Sequence, residues 1–339
     1  MKKRTAWLFG LAILVSFVVT GFGSVVKAAA PKDFKLVLKC SHVFAPGEQL
    51  TKSIDKAAQN IKARTNGAID IQTYPQGQLA VYKDGLEQVV RGADFISVED
   101  PSYLGDYVPD FNALVGPMMY TNFDEYIYLI QTDLVKAMIK KAEEKGIKIL
   151  ALDYIFGFRS LMTNKVIKTP ADLKGMKIRT PGSQLFIDTL TAMGATVTPM
   201  AFSETISAVQ QGVVDGLEGT MDAYATNGSA EVAKNMAFTN HFLGTCGVYI
   251  STKVWDKIPA EYQAIIQEEF TANAKEMIEI ITNNYDGYKA KLEKDGIKFN
   301  DVDNAAFGAA VKPVYEKMKG VTPGIYDILK AEIAKRPAK

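Results

Sequence analysis

Few residues in this 339-residue chain have the type and spacing to do bond chemistry. There are two His, at 42 and 241, and two Cys, at 40 and 246. No His-x-x-x-His, Cys-x-x-Cys or Gly-x-Ser-x-Gly occurs, nor a Gly-Lys-Ser/Thr loop, nor a Gly-x-Gly-x-x-Gly after a strand. The common metal, thiol, serine-nucleophile and nucleotide motifs are therefore missing, and no metal or cofactor is expected. His42 and His241 read as structural. Cys40 and Cys246 can pair in an oxidising compartment, but two Cys make neither a disulfide scaffold nor a four-thiolate zinc site. Asp215 and Glu218 are paired carboxylates at an expected strand end. Acids three apart there point differently and have no nucleophile beside them, so acid–base catalysis is the alternative, and no catalytic residue is assigned. Arg179 closes another expected strand, just before Thr180-Pro181-Gly182. A planar guanidinium gives a carboxylate two parallel charge-assisted bonds, where Lys offers a point charge.

The elements that must hold these residues alternate. Strands are expected at 35–40, 69–74, 93–98, 147–152, 176–180, 195–198 and 213–217. Helices are expected at 49–64, around 84–91, and at 123–145, 183–193 and 203–211. Alternation at this spacing means α/β architecture with mostly parallel sheets. Apolar residues then recur in steps of three or four from 262 to 288. One helix over 261–294 would reach about 45 Å and lie across two domains, unless it kinks near Asn283-Asn284. Helices at 304–319 and 323–334 close the chain.

Charge is balanced only on average, with 39 Lys+Arg against 38 Asp+Glu. Lys2, Lys3, Arg4 and Lys27 are the charges of residues 1–28, so the rest carries 1 − 4 = −3. Such a chain is no bulk-basic nucleic-acid binder. Thr5–Val26 is uncharged and leads to Ala28-Ala29-Ala30, the layout of a secretory signal peptide cleaved near Ala28. A retained membrane anchor is the alternative, diluted by Gly10, Ser16, Thr20 and Gly21. The mature protein is expected to be soluble and extracytoplasmic, in the periplasm.

The segment 157–219 resembles the solute-binding receptors of tripartite ATP-independent periplasmic (TRAP) transporters, the DctP-type family. The pieces stand in order: Gly157-Phe158-Arg159, Thr169-Pro170-Ala171-Asp172-Leu173-Lys174-Gly175, Lys177-Ile178-Arg179, Phe202-Ser203-Glu204 and Asp215-Gly216-x-Glu218. Tyr74-Pro75-x-Gly77-Gln78-Leu79 and Trp255-x-x-Ile258-Pro259 extend the likeness over essentially the whole mature chain. The resemblance implies a two-lobed periplasmic solute-binding protein fold with crossing strands and a long helix spanning both lobes. Residues 31–156 plus 246–285 would form lobe I, and 157–245 plus 286–336 lobe II. It implies a monomeric receptor, not an enzyme, that closes over an organic acid and delivers it to integral-membrane TRAP permease subunits.

Residue by residue, Arg179 matches the family's carboxylate clamp and Arg159 a second Arg near the same group. Phe202 matches an aromatic that packs on the ligand. Glu218, Glu99, Tyr82 and Tyr154 are expected at or near the cleft, with Glu99 facing a ligand ammonium or hydroxyl. Gly219 departs from relatives that have Asn there and bind polar or dicarboxylic ligands. With the surrounding aromatics, that departure tilts the expectation toward a bulky or aromatic monocarboxylate, amino and 2-keto/2-hydroxy acids included. The alternatives are a C4-dicarboxylate or small hydroxy-acid receptor, a receptor for an ATP-driven importer, and a module feeding a membrane sensor.

Overall fold

The computed structural model describes residues 33–337; the proposed leader lies outside them. Apolar runs bounded by turn residues form β1 (Leu36–Ser41), β2 (Ile69–Tyr74) and β3 (Phe95–Glu99), linked by α1 (Gln49–Arg64) and α2 (Tyr82–Arg91). Helix α1 buries Leu50, Ile54, Ala57, Ala58 and Ile61, the three-and-four spacing of one face. β1 pairs parallel to both β2 and β3. The expected helix over 123–145 is two helices, α4 (Phe123–Leu129) and α5 (Asp133–Glu144), after a short α3 (Asp110–Leu114). The Thr132 hydroxyl donates to Leu129 O and stops the first, and Asp133 starts the second where the helix dipole favours an acid.

The strand expected at 147–152 runs on as β4 (Ile147–Thr163). After it come β5 (Lys177–Thr180), α6 (Gln184–Ala192), β6 (Thr196–Pro199), α7 (Thr205–Gln210) and β7 (Gly216–Gly219). β7 starts later than the expected 213–217 because the amides of Val213 and Val214 bond back to Ala208 O, closing α7 instead of joining the sheet. Two short helices, α8 (Met221–Thr226) and α9 (Ser229–Val232), lead to a second long strand, β8 (Asn235–Ser251). β4 and β8 are antiparallel partners of 17 residues each. They cross the middle of a sheet ordered β2-β1-β3-β8-β4-β7-β5-β6. One half of the molecule is built on β1–β3, the other on β5–β7, and the crossing pair joins them. Repeated register shifts bend that pair. At Gly244 a Cβ would sit 2.8 Å from Gly157 O, so only glycine allows this approach.

Beyond α10 (Thr252–Trp255), the long helical run is α11 (Ala260–Asn283) and α12 (Tyr285–Lys294), broken at Asn284. Helix α11 packs on α1 and β4 in the first half, and α12 on α8 in the second, so the run spans both lobes with a kink. A short strand, β9 (Lys298–Asn300), pairs with β8. Helix α13 (Asn304–Lys317) packs on α6, whereas α14 (Ile325–Ala334) returns to α3 and α4 in the first half. Cys40 and Cys246 are both buried and free, so the pairing open to them is not formed. Among the described residues, no helix is long and apolar enough to cross a membrane.

Candidate functional site

Parallel strands present ligands at their carboxyl ends, and here four of them converge. Strands β1 and β3 from one half and β5 and β7 from the other end at a cleft floored by β4 and β8, which encloses about 50 Å³. Its walls include Tyr82, Glu99, Arg159, Arg179, Phe202 and Gly219. Of the residues expected from sequence, these six come together.

Arg179, 1 % exposed, sits at the end of β5. Its Nε and Nη2 donate to Met200 O at 3.1 and 2.8 Å, and Nη2 also to the Tyr82 hydroxyl oxygen at 3.1 Å. The guanidinium carbon lies 5.1 Å from the Phe202 ring centroid. No carboxylate among the described residues pairs with it, although a buried charge is costly without a partner. Its fork is therefore fixed by neutral groups, and its charge is left for something that enters the cleft.

Tyr82 reaches Arg179 from the opposite half of the molecule. Its phenol oxygen accepts from Arg179 Nη2 and from the Phe202 amide, so its own proton is free to donate into the cleft. Its φ is 56°, strained for a bulky residue. The amide of Tyr82 donates to Glu99 Oε1 at 2.5 Å, which holds it there. The two bonds to the Tyr82 phenol bridge the two halves across the cleft, as does the Gln49 amide donating to Asp222.

Arg159 also faces the cleft, but it has a partner. Its Nε and Nη2 donate to the two oxygens of Glu218 at 2.5 and 2.7 Å. Glu218 is fully buried behind it, with His241 Nε2 3.7 Å away. Burial, the largest single influence, raises the Glu218 carboxyl; the Arg159 charge and the hydrogen bonding of His241 and Arg159 together outweigh it and hold it at about 2. Glu218 is thus a positioning residue for Arg159 and not part of the cleft wall. Tyr154 corrects the expectation more sharply. It is fully buried in the first half, its hydroxyl donating to Phe270 O in α11. Gly219 lines the cleft, and a Cβ there would meet the Tyr224 ring at 3.1 Å.

Sequence reasoning missed Glu48 at the start of α1 and gave Asp100 no separate role; both line the cleft. Burial pushes the Glu48 carboxyl up to about 8 and Asp100 up to about 6, and raises Glu99 well above the usual range. A carboxyl that holds its proton more tightly when folded stabilises the fold below its ordinary pKa. That contribution is lost as pH rises through the folded value. For Glu48 and Asp100 the window runs from their ordinary values of 4.5 and 3.8 to about 8 and about 6. The buried His42 and His241, both lowered from 6.5, act in the opposite sense below about pH 6.5. Ligand-free protein is therefore expected to melt progressively lower from about pH 6.5 to about pH 8, and Glu48→Gln to flatten much of that slope. Thermal melts across pH read it; a midpoint that rises over this range contradicts it.

The profile of the bacterial extracellular solute-binding protein family 7, DctP, matches residues 40–320. A TRAP periplasmic solute binding protein from Desulfovibrio salexigens, in complex with diglycerolphosphate, is 62% identical with a TM-score of 0.87, over 89% of this chain and 97% of that one. One from Fusobacterium nucleatum with bound sn-glycerol-3-phosphate is 43% identical, also at 0.87, over 88% and 97%. The C4-dicarboxylate-binding periplasmic protein DctP of Rhodobacter capsulatus is 28% identical over 84% of this chain and 86% of its own length.

Proposed function

Since the chain belongs to the DctP family of bacterial extracellular solute-binding proteins, we propose that it captures a small hydroxylated organic anion, with a glycerol phosphate ester as the first candidate. The family is extracytoplasmic and its members are TRAP-type receptors for organic acids, delivering a solute to membrane permease subunits. The observation that carries the finer reading is the polarity of the cleft. One wall offers the unpaired Arg179 beside Arg159; the other offers Glu48, Glu99 and Asp100. A phosphate takes the guanidinium fork and the Tyr82 proton. Glycerol hydroxyls hydrogen-bond the three carboxyls, and the short carbon backbone rests against Phe202. The glycerol phosphates held by the Desulfovibrio and Fusobacterium relatives support this choice.

An aromatic monocarboxylate, the expectation from Gly219 and the neighbouring rings, fits less well. Glu48, Glu99 and Asp100 each accept one backbone amide, and the hydrocarbon of such a ligand would leave their remaining polar capacity buried without a partner, at a cost for each. A second acid, as in a C4-dicarboxylate, would meet Asp100, pushed only to about 6, as a like charge at neutral pH. We further propose that the receptor acts as a monomer, after removal of the leader near Ala28, with lobes divided at the β4–β8 crossing.

Calorimetric titration with sn-glycerol-3-phosphate, a bis-glycerol phosphodiester, succinate and indole-3-acetate tests the assignment. The two phosphoglycerols are expected to bind at least about a hundredfold more tightly than the other two acids, about 2.7 kcal/mol. Tight succinate or indole-3-acetate binding with none of the phosphoglycerols refutes it.

A further inference from the structure

A second cavity, of about 370 Å³, lies across β4 and α8 from the anion cleft. Chain alternation separates most of their walls, with Phe156 lining both. Arg159 faces the cleft while Phe158 and Ser160 face this cavity; Thr220 and Ala223 line the cleft while Met221 and Asp222 line the cavity. The walls meet where the long helical run breaks, with Ile281 and Thr282 from the last turn of α11 and Tyr285 and Tyr288 from α12. The cavity is thus built from both halves of the molecule, at the joint between them.

Its lining is chemically one-sided. Six rings surround it: Phe123, Phe156, Phe158, Phe238, Tyr285 and Tyr288. Its charged residues are Asp222 and Asp286, and no Lys, Arg or His lines it among the described residues. Asp222 is 4 % exposed; Oδ2 accepts the Gln49 amide at 3.0 Å, and the buried Oδ1 makes no hydrogen bond of regular geometry. Burial raises this carboxyl, against the Gln49 amide, the Tyr288 hydroxyl and the charge of Lys52.

A neutral hydrocarbon here would leave the Asp222 carboxylate only partly offset, by the Gln49 amide, the Tyr288 hydroxyl and Lys52, and an anion would meet two acids and the negative faces of the rings. A cation with an apolar surface satisfies both kinds of wall at once. We propose that this cavity is a second binding site, for an alkylammonium ion, held by ring faces and by Asp222 and Asp286.

The test uses the whole mature protein with its methionine methyls labelled with carbon-13, because Met221 and Met236 line the cavity. Choline is the probe, and 3,3-dimethylbutan-1-ol is its uncharged analogue of the same shape. Choline is expected to shift the Met221 and Met236 resonances saturably, with the analogue roughly tenfold weaker or more. Asp222→Asn is expected to weaken choline similarly. Asp286→Asn, at an exposed position with no structural bond to lose, does the same should the first variant misfold. Arg179→Ala is expected to leave choline binding intact, which separates this site from the anion cleft. The proposal is overturned by no saturable shift, by equal binding of the neutral analogue, or by choline affinity unchanged in Asp286→Asn and in folded Asp222→Asn.

Discussion

Arg179→Ala is expected to reduce anion affinity by about a hundredfold or more while leaving the ligand-free protein folded. Each charge-assisted bond contributes about 1.5–3 kcal/mol, and an anion on the fork loses at least one such bond together with its counter-charge. The ligand-free fold is expected to suffer little, because the lost cation has no ion pair in the protein. Its bonds go to Met200 O and the Tyr82 phenol, and removing an unpaired buried charge offsets part of their loss. Arg179→Lys separates charge from shape. A single ammonium cannot hold Met200 O, Tyr82 and a bidentate anion together, so affinity is expected to fall between wild type and the Ala variant. Titration calorimetry with sn-glycerol-3-phosphate, alongside circular dichroism, measures both quantities. Affinity within about threefold of wild type in a folded Ala variant would remove Arg179 from the site.

That residue was legible in sequence because its surroundings are local. Arg179 ends a strand and precedes Pro181-Gly182, so strand-end position and ordered family motifs point the same way. Phe202, Gly219, Tyr82 and Glu99 share this property, each lying at a strand end or a helix start. Tyr154 illustrates where such reading stops. Its strand is shifted in register between Ala151 and Tyr154 and again between Ile155 and Gly157, so counting alternate residues does not tell which side faces the cleft. Glu48 carries no local mark at all. It follows Ala45-Pro46-Gly47 and becomes part of the site only because β1 ends at the cleft beside β3.

The fold divides in a similar way. The βα alternation was readable for β1–β3 and β5–β6, where short apolar runs are bounded by turns. β8 was not, because it is buried along nearly its whole length and so lacks an alternating pattern. Its scarcity of charge and its rings at 238, 242 and 249 were the available signal. The helical break fell at Asn284, one of the two places open to it, since Asn is a poor helix former beside a residue of its own kind.

The Arg159–Glu218 pair sets the second large effect, and here stability and binding part company. Glu218→Gln keeps the shape but leaves a buried guanidinium without its counter-charge. Breaking a buried pair from one side costs about 3–5 kcal/mol, which corresponds to a melting point lower by roughly 5–10 °C for a protein of this size. Replacing both partners, as in Arg159→Met with Glu218→Leu, removes the desolvation cost along with the attraction. Its melting point is expected to return to near wild type. Anion affinity is expected to stay low in both, because the single variant frees Arg159 to leave its position and the double variant deletes it. Acid adds an independent readout. Glu218 is held at about 2 in the fold against an ordinary 4.5, so its contribution is present above about pH 4.5 and is lost as pH falls toward 2. Glu218→Gln is expected to lack that part of the acid slope. A double variant that melts as low as the single one would show that packing around Glu218, and not its charge on Arg159, is what the fold requires.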